Sequence, residues 1–276
     1  MLKDITLGQY YPAESAIHRL DPRVKLVVTL AFIISLFLVN SVAGYLIAAA
    51  FLALWTGLSR VPLRFMLRGM KAIFFLLIMT VVFNLFLTPG EPVLTWWKIQ
   101  ITREGIRIAS MMAVRLVFLI IGSSVMTLTT TPNSLTDGME ALMKPLRRVR
   151  FPVHEVAMMM SIALRFIPIL MEETDKIMKA QMARGADFES GSVITRAKNL
   201  VPILVPLFVS AFRRANDLAL AMEARCYHGG EGRTRMNPLR YSRADFAAYG
   251  ILAAYLVLLI AGPLALRTLG VALRIF

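Results

Sequence analysis

From Phe246 to Leu266 the chain carries no charged side chain. About 20 such residues, rising 1.5 Å each, are what a helix needs to cross a hydrocarbon core about 30 Å thick, and inside that core only a helix or a closed barrel satisfies its own backbone. Comparable runs occupy Val24–Val39 (interrupted by Lys25, Thr29 and Ser35), Val42–Leu58, Ala72–Leu87 and Ile106–Leu128. The composition agrees: 57% of residues are hydrophobic, and the mean hydropathy is +0.65. Such a chain is too apolar for an ordinary soluble protein. The expected fold class is an all-α integral membrane protein of about five transmembrane helices, with a cytoplasmic domain of long amphipathic helices.

The formal charge of +14 would suggest nucleic acid in a soluble protein. Here the cations flank apolar runs, where they set topology and attract anionic lipid headgroups, so a nucleic-acid partner is not expected. Arg60, Arg64, Arg68 and Lys71 follow the second span and place that loop in the cytoplasm, which puts the N-terminus there too. The loop after the third span, with Pro89-Gly90-Glu91-Pro92 and Trp96-Trp97, is poor in cations and fits the outer face. Five crossings from a cytoplasmic N-terminus end outside. The polar segment from Tyr10 to Arg23 is expected to lie on the membrane surface.

Between Pro132 and Asp245 the pattern changes to apolar residues at helical spacing among lysines, arginines and acids. Three helices are expected: Asn133–Arg148; one from about Val153 through Pro168 to Arg184; and one from about Thr195, past Pro202 and Pro206, to Arg225. The third carries a stripe of Phe208, Phe212, Ala215, Ala219 and Met222 that calls for a partner helix. The domain division is then 1–131 (first four spans), 132–245 (cytoplasmic helices) and 246–276 (final span).

The stretch from Met171 to His228 organises the rest. Two of its helices finish alike, in Ala183-Arg184-Gly185 and Ala224-Arg225-Cys226, and the two arginines stand 41 positions apart (225 − 184). This looks like a weak internal duplication, or two similar helices. An arginine in a last turn has an ordinary use, worth about 0.3–1 kcal/mol against the helix dipole. A projecting guanidinium also offers five donors in a rigid fork, able to grip carboxylates or carbonyls in a partner's groove.

Catalytic chemistry has no support. There is no Gly-x-x-x-x-Gly-Lys-Ser/Thr, no Gly-x-Ser-x-Gly and no His-Glu-x-x-His, and Gly229-Gly230-Glu231-Gly232-Arg233-Thr234 lacks the lysine and spacing of a phosphate loop. Cys226 is the single cysteine and His18, His154 and His228 are scattered, so neither a disulfide nor a metal site is expected. Within the spans the polar candidates are Asn84 and Arg115, the latter about 13 Å into the fourth span. A cation at that depth costs about 2.5–3.5 kcal/mol on insertion scales; Asn84, helix carbonyls or another subunit are its candidate partners, and snorkelling or packing its plain alternatives.

Gln9-Tyr10-Tyr11-Pro12, His18-Arg19-Leu20-Asp21-Pro22-Arg23-Val24-Lys25-Leu26, Ala183-Arg184-Gly185, Glu223-Ala224-Arg225 and Gly229-Gly230-Glu231-Gly232-Arg233-Thr234-Arg235 together resemble the transmembrane T component of energy-coupling factor transporters, in the same order along essentially the whole chain. These are importers of vitamins and micronutrients, of the ATP-binding-cassette class, in the cell membrane of bacteria and archaea. The resemblance implies a non-catalytic subunit holding no cofactor, with ATP bound by two separate ATPase subunits. Arg184 and Arg225, with their neighbours Ala183, Gly185, Ala224 and Cys226, would dock one ATPase each. The helices would then drive a separate substrate-binding S component, which selects the vitamin. The chain departs from the family pattern at Cys226, where glycine is common. Two other classes stand beside this one: a self-contained secondary transporter, expected to hold ionisable residues and broken helices in its spans, and a membrane scaffold that binds lipid or a soluble partner through its basic helices.

Overall fold

The computed structural model describes residues 10–39, 41–96, 99–186, 188, 192–230 and 236–268; Gln9, Asn40, Trp97 and the run from Glu231 to Arg235 lie outside them. The elements are α1 (Pro22–Leu38), α2 (Val42–Ser59), α3 (Leu63–Leu87), a hairpin of β1 (Pro92–Trp96) and β2 (Ile99–Thr102), α4 (Arg103–Thr129), α5 (Pro132–Met143), a 3-10 turn (Lys144–Val149), α6 (Val153–Ala183), α7 (Val193–Ala224) and α8 (Arg243–Thr268). The architecture is all-α. The small antiparallel hairpin, pairing Trp96 with Ile99 and Leu94 with Ile101, stands where a plain loop is expected from the sequence. Among the described residues α2, α4, α6 and the Arg243–Gly262 part of α8 are long and apolar enough to cross a membrane, while α1 has 17 residues and α3 is apolar over Phe74–Leu87. The protein is thus a multi-pass membrane protein, and α6 is a span candidate beyond the five read from the sequence.

The chain divides into two compact units. One is built on Gly8–Gly138 with Leu239–Phe276, the other on Met139–Pro238. Residues 132–138 and 239–245, grouped by sequence with the amphipathic helices, therefore fall in the first unit. The cause is local. Gly138 abuts Pro22 so closely that an added Cβ would stand 3.1 Å from the Pro22 ring carbon, and the buried Asp245 carboxylate accepts the Asp21 N–H at 2.8 Å.

In the first unit α1 is the hub. Val24, Val28, Phe32 and Leu36 recur every fourth residue and are buried against Phe51, Leu52 and Trp55 of α2, Val125 and Leu128 of α4, and Leu252 and Tyr255 of α8. Its other faces, Leu30, Ile34 and Phe37, are exposed apolar surface, as lipid-facing positions should be. Gly122 lets α4 approach α1: a Cβ there would stand 2.8 Å from the Phe32 ring. Phe51 and Tyr255 stack with centroids 4.4 Å apart, and the Tyr255 hydroxyl is 2.6 Å from Ser35 Oγ.

The start of α1 is specified by Asp21-Pro22. Asp21 caps the helix by accepting the Arg23 N–H at 2.9 Å, and proline at the first helical position lacks only an N–H that would have no helical partner. The segment before it packs onto the unit. Ile17 and Leu20 belong to the core, and the Tyr11 N–H donates to the Leu128 carbonyl at 2.9 Å. Lys25 is buried as well, its Nζ donating to the carbonyls of Thr129 at 2.8 Å and His18 at 3.1 Å.

In the second unit α6 packs against α7. The first amphipathic helix ends early, at Met143, because Pro145 cannot continue the α-helical ladder, and a 3-10 turn replaces its last residues.

Candidate functional site at the paired helix ends

Arg184 and Arg225 each follow the last helical residue of a long helix, and the two helix ends close in the same way. At the end of α6 the Gly185 N–H donates to the Met182 carbonyl and the Ala186 N–H to the Gln181 carbonyl, both at 3.0 Å. At the end of α7 the Cys226 N–H donates to the Glu223 carbonyl at 2.9 Å and the Tyr227 N–H to the Met222 carbonyl at 3.0 Å. This is the Schellman pattern, which satisfies the last carbonyls of a helix by turning one residue left-handed. Gly185 takes that position with φ +90 and Cys226 with φ +56. Cysteine thus adopts the conformation that glycine reaches without strain, at a cost of about 1–2 kcal/mol.

The caps leave the side chains outward. Ala183, Arg184, Gly185, Ala224, Arg225 and Cys226 are all exposed, and among the described residues no acid pairs with either arginine. Beside Arg225 lies a cavity of about 790 Å³ whose lining includes Ser161, Arg165, Met222, Tyr227 and His228.

Between the two ends the helices are clamped. Glu173 accepts from Arg214 Nε at 3.2 Å and Nη2 at 2.8 Å, and from the Ser210 hydroxyl. Gln181 Nε2 donates to the Pro202 carbonyl at 3.3 Å. Advancing along α6 therefore retreats along α7, so the pair is antiparallel and its arginine ends point opposite ways. Each arginine stands 11 positions beyond its helix's member of the ion pair (184 − 173 and 225 − 214). At 1.5 Å per residue, straight helices would set the arginines about 33 Å apart with the clamp midway.

The Phe208 and Phe212 side chains of the α7 stripe stay exposed, at 61% and 68%. Ser210 and Arg214, on another face, meet α6 instead. At Phe208 and Phe212 the stripe does not meet α6, whereas half-buried Met222 at its far end lines the cavity with Ser161 and Arg165 of α6.

Glu173, Ser210 and Arg214 escaped the sequence reading. The signal available was their spacing, since 214 − 173 repeats the 41 positions that separate the two arginines. Arg115 and Asn84 are not brought together. Arg115 Nε donates to the Tyr45 hydroxyl and Nη2 to the Val39 carbonyl, each at 3.1 Å, with the Phe37 ring 5.6 Å from the guanidinium. Val39 is the C-cap of α1, so this cation satisfies a helix end, where the dipole favours it. Asn84 Nδ2 donates within its own helix, to the Thr80 carbonyl at 2.8 Å.

A profile of the cobalt transport protein family matches residues 13–236. Three similar proteins, each named energy-coupling factor transporter transmembrane protein, come from Clostridium kluyveri (57% identical, over 90% of this chain and 93% of the relative), Thermosediminibacter oceani (54%, over 91% and 96%) and Bacillus subtilis (48%, over 89% and 93%). The chain belongs to this family. It is the transmembrane component of an energy-coupling factor transporter, and both the Ala183-Arg184-Gly185 and the Ala224-Arg225-Cys226 ends lie within the profile match.

Proposed function

We propose that this chain couples ATP hydrolysis by two separate ATPase subunits to vitamin or micronutrient uptake by a separate S component, in the cell membrane of a bacterium or archaeon. The pair α6–α7, facing the cytoplasm, is the lever. It holds no catalytic group and no cofactor; ATP binds to the partner subunits. Arg184 and Arg225 each dock one ATPase, and closure of the two ATPases on ATP pushes the helix ends. The exposed Phe208–Phe212 stripe takes the S component.

The observation that carries this reading is the pair of matching caps holding exposed arginines, without an acidic partner among the described residues, at opposite ends of one clamped antiparallel pair. An arginine present only to balance the helix dipole would be as well served lying along its helix. Two ATPases forming a dimer present two grooves, and a subunit engaging both needs two separated contacts of one kind. Truncating a desolvated guanidinium contact typically costs about 2–5 kcal/mol, enough to release an ATPase.

The test is co-purification from membranes with Arg184→Glu, Arg225→Glu and, as control, Arg213→Glu, which changes an exposed arginine on a side of α7. Loss of ATPase from the first two with retention in the third is expected. Equal retention in all three would return the arginines to ordinary helix ends and favour the scaffold or secondary transporter.

A further inference from the structure

The 3-10 turn from Lys144 to Val149 and the step into α6 carry a surface that docking of ATPases does not use. Arg147, Arg148 and Arg150 are all exposed, and none has an ion-pair partner among the described residues. Interleaved with them are exposed apolar side chains, Leu146 at 42%, Val149 at 81% and Phe151 at 41%. Arg150 turns left-handed, with φ +59, its N–H bonded to the Arg147 carbonyl at 3.1 Å. This reversal folds the turn back over a cavity of about 190 Å³ lined by Arg147, Arg150, Phe151, His154 and Gly230.

Into the wall of that cavity the sequence puts a histidine with one nitrogen left over. His154 Nδ1 lies 3.2 Å from Glu140 Oε1, while its Nε2 is buried with no partner among the described residues. Gly230 covers the imidazole so closely that a Cβ there would stand 2.4 Å from His154 Cδ2; only glycine allows the chain to lie there. The first turn of α6 adds amide groups with no side-chain cap. The Arg147 and Arg150 guanidinium groups and the uncapped amides thus converge on one small concavity; with Nδ1–H turned to the Glu140 carboxylate, Nε2 of the neutral ring is an acceptor for a ligand hydroxyl, and the rim is apolar.

We propose that this turn is a binding site for the headgroup of an anionic phospholipid, with the phosphate held by Arg147 and Arg150 over His154, and with Leu146, Val149 and Phe151 set among the acyl chains. Three considerations select a lipid over a soluble anion. Free phosphate would need the arginines but gives no reason to expose Val149 and Phe151 beside them. Interfacial segments combine cations with inserted apolar side chains in this way. The site also stands at the head of α6, a helix apolar enough to lie along a bilayer surface while its ends face the cytoplasm, so the headgroup region is where it would lie. Glu155, which also lines the cavity, keeps the site from a uniform positive field and favours a ligand that carries hydroxyls beside the phosphate.

The experiment uses the full chain, purified in a neutral detergent, titrated with phosphatidylglycerol, with phosphatidylcholine or with inorganic phosphate, and bound lipid is counted by native mass spectrometry. One retained phosphatidylglycerol per chain is expected, with phosphatidylcholine lost at the same concentration. The triple variant Arg147→Gln/Arg148→Gln/Arg150→Gln should weaken retention about 100-fold, as three interfacial cations imply. Removing the same charge elsewhere, with Lys176→Gln/Lys179→Gln/Lys198→Gln, should change it less than about twofold, because screening confines each cation's reach to roughly 10 Å. Val149→Ser leaves every charge in place and should weaken phosphatidylglycerol several-fold. Equal loss in both triple variants would mean attraction by net charge alone and overturn the site. Displacement of the lipid by millimolar inorganic phosphate, or indifference to Val149→Ser, would overturn the lipid as its occupant. None of these readouts depends on bound ATPase, so failure here and failure of ATPase docking are separable.

Discussion

Glu173 and Arg214 join α6 to α7 through two hydrogen bonds, at 2.8 and 3.2 Å, midway between the arginine ends. Their side chains are 23% and 40% exposed, so water screens part of the attraction and the pair contributes about 1 kcal/mol. Its value lies in register. With both helices ending in a left-handed cap, the clamp fixes how far each arginine projects.

Glu173→Gln and Arg214→Gln should each destabilise the full chain by about 1 kcal/mol, and the double variant by less than the sum, since the second change removes a partner already gone. Thermal unfolding in detergent of the four proteins closes the cycle. Strict additivity would mean that the ion pair does not hold the helices.

Cys226→Gly should stabilise the end of α7 by about 1 kcal/mol, because glycine enters the left-handed region without the Cβ clash. Gly185→Ala should destabilise the end of α6 by about 1–2 kcal/mol; an added Cβ there meets nothing within 4 Å, so the cost is wholly in the backbone. Hydrogen exchange of the Ala186 and Tyr227 amides reads both. Opposite signs are expected, and equal signs would argue against a shared cap.

Gly122→Ala should cost about 1–3 kcal/mol by forcing α4 away from the Phe32 ring. Phe32→Leu in the same chain should recover part of the loss, as the melting temperature will show. A neutral Gly122→Ala would mean that α1 and α4 pack less closely than the distances require.

His18 should make the protein acid-sensitive. Its Nε2–H donates to the Tyr11 carbonyl at 3.0 Å and its Nδ1 lies 2.7 Å from the Ser15 hydroxyl, which suits the neutral ring. Burial lowers its pKa below the ordinary 6.5; the hydrogen bond to Tyr11 works against this and the Lys25 ammonium adds to it. Between the two values the unfolded chain binds the proton and the folded chain does not, so stability is fully present above pH 6.5 and falls as pH drops toward the lowered value. His18→Gln should narrow the difference in melting temperature between about pH 7.5 and about pH 5.5. An unchanged difference would place the sensitivity elsewhere.

The membrane class was legible because apolar runs of crossing length admit little else, and the start of α1 because Asp21-Pro22 names both cap and first turn. The arginine ends were legible as a repeated tripeptide. Other features rest on contacts that no local pattern encodes: Asp245 reaches the Asp21 amide across 224 positions, and Arg115 finds a carbonyl at the end of a helix 76 positions away. The α7 stripe shows the limit of periodicity. Phe208 and Phe212 were read correctly as one face, but the face that meets α6 is chosen by Ser210 and Arg214 answering Glu173, and an ion pair between helices leaves no mark in hydropathy. The β1–β2 hairpin was missed because a short outer loop with tryptophans reads equally well as an interfacial anchor.

The most direct measurement is ATP-dependent uptake in proteoliposomes holding the assembled transporter, with wild-type chain, Arg184→Glu, Arg225→Glu or Arg213→Glu. Uptake should fall at least tenfold for either terminal arginine, the loss that about 1.4 kcal/mol of docking energy implies, and should survive Arg213→Glu. Full uptake by both terminal variants, or uptake by the chain alone without ATPases, would contradict a lever that works through its two ends.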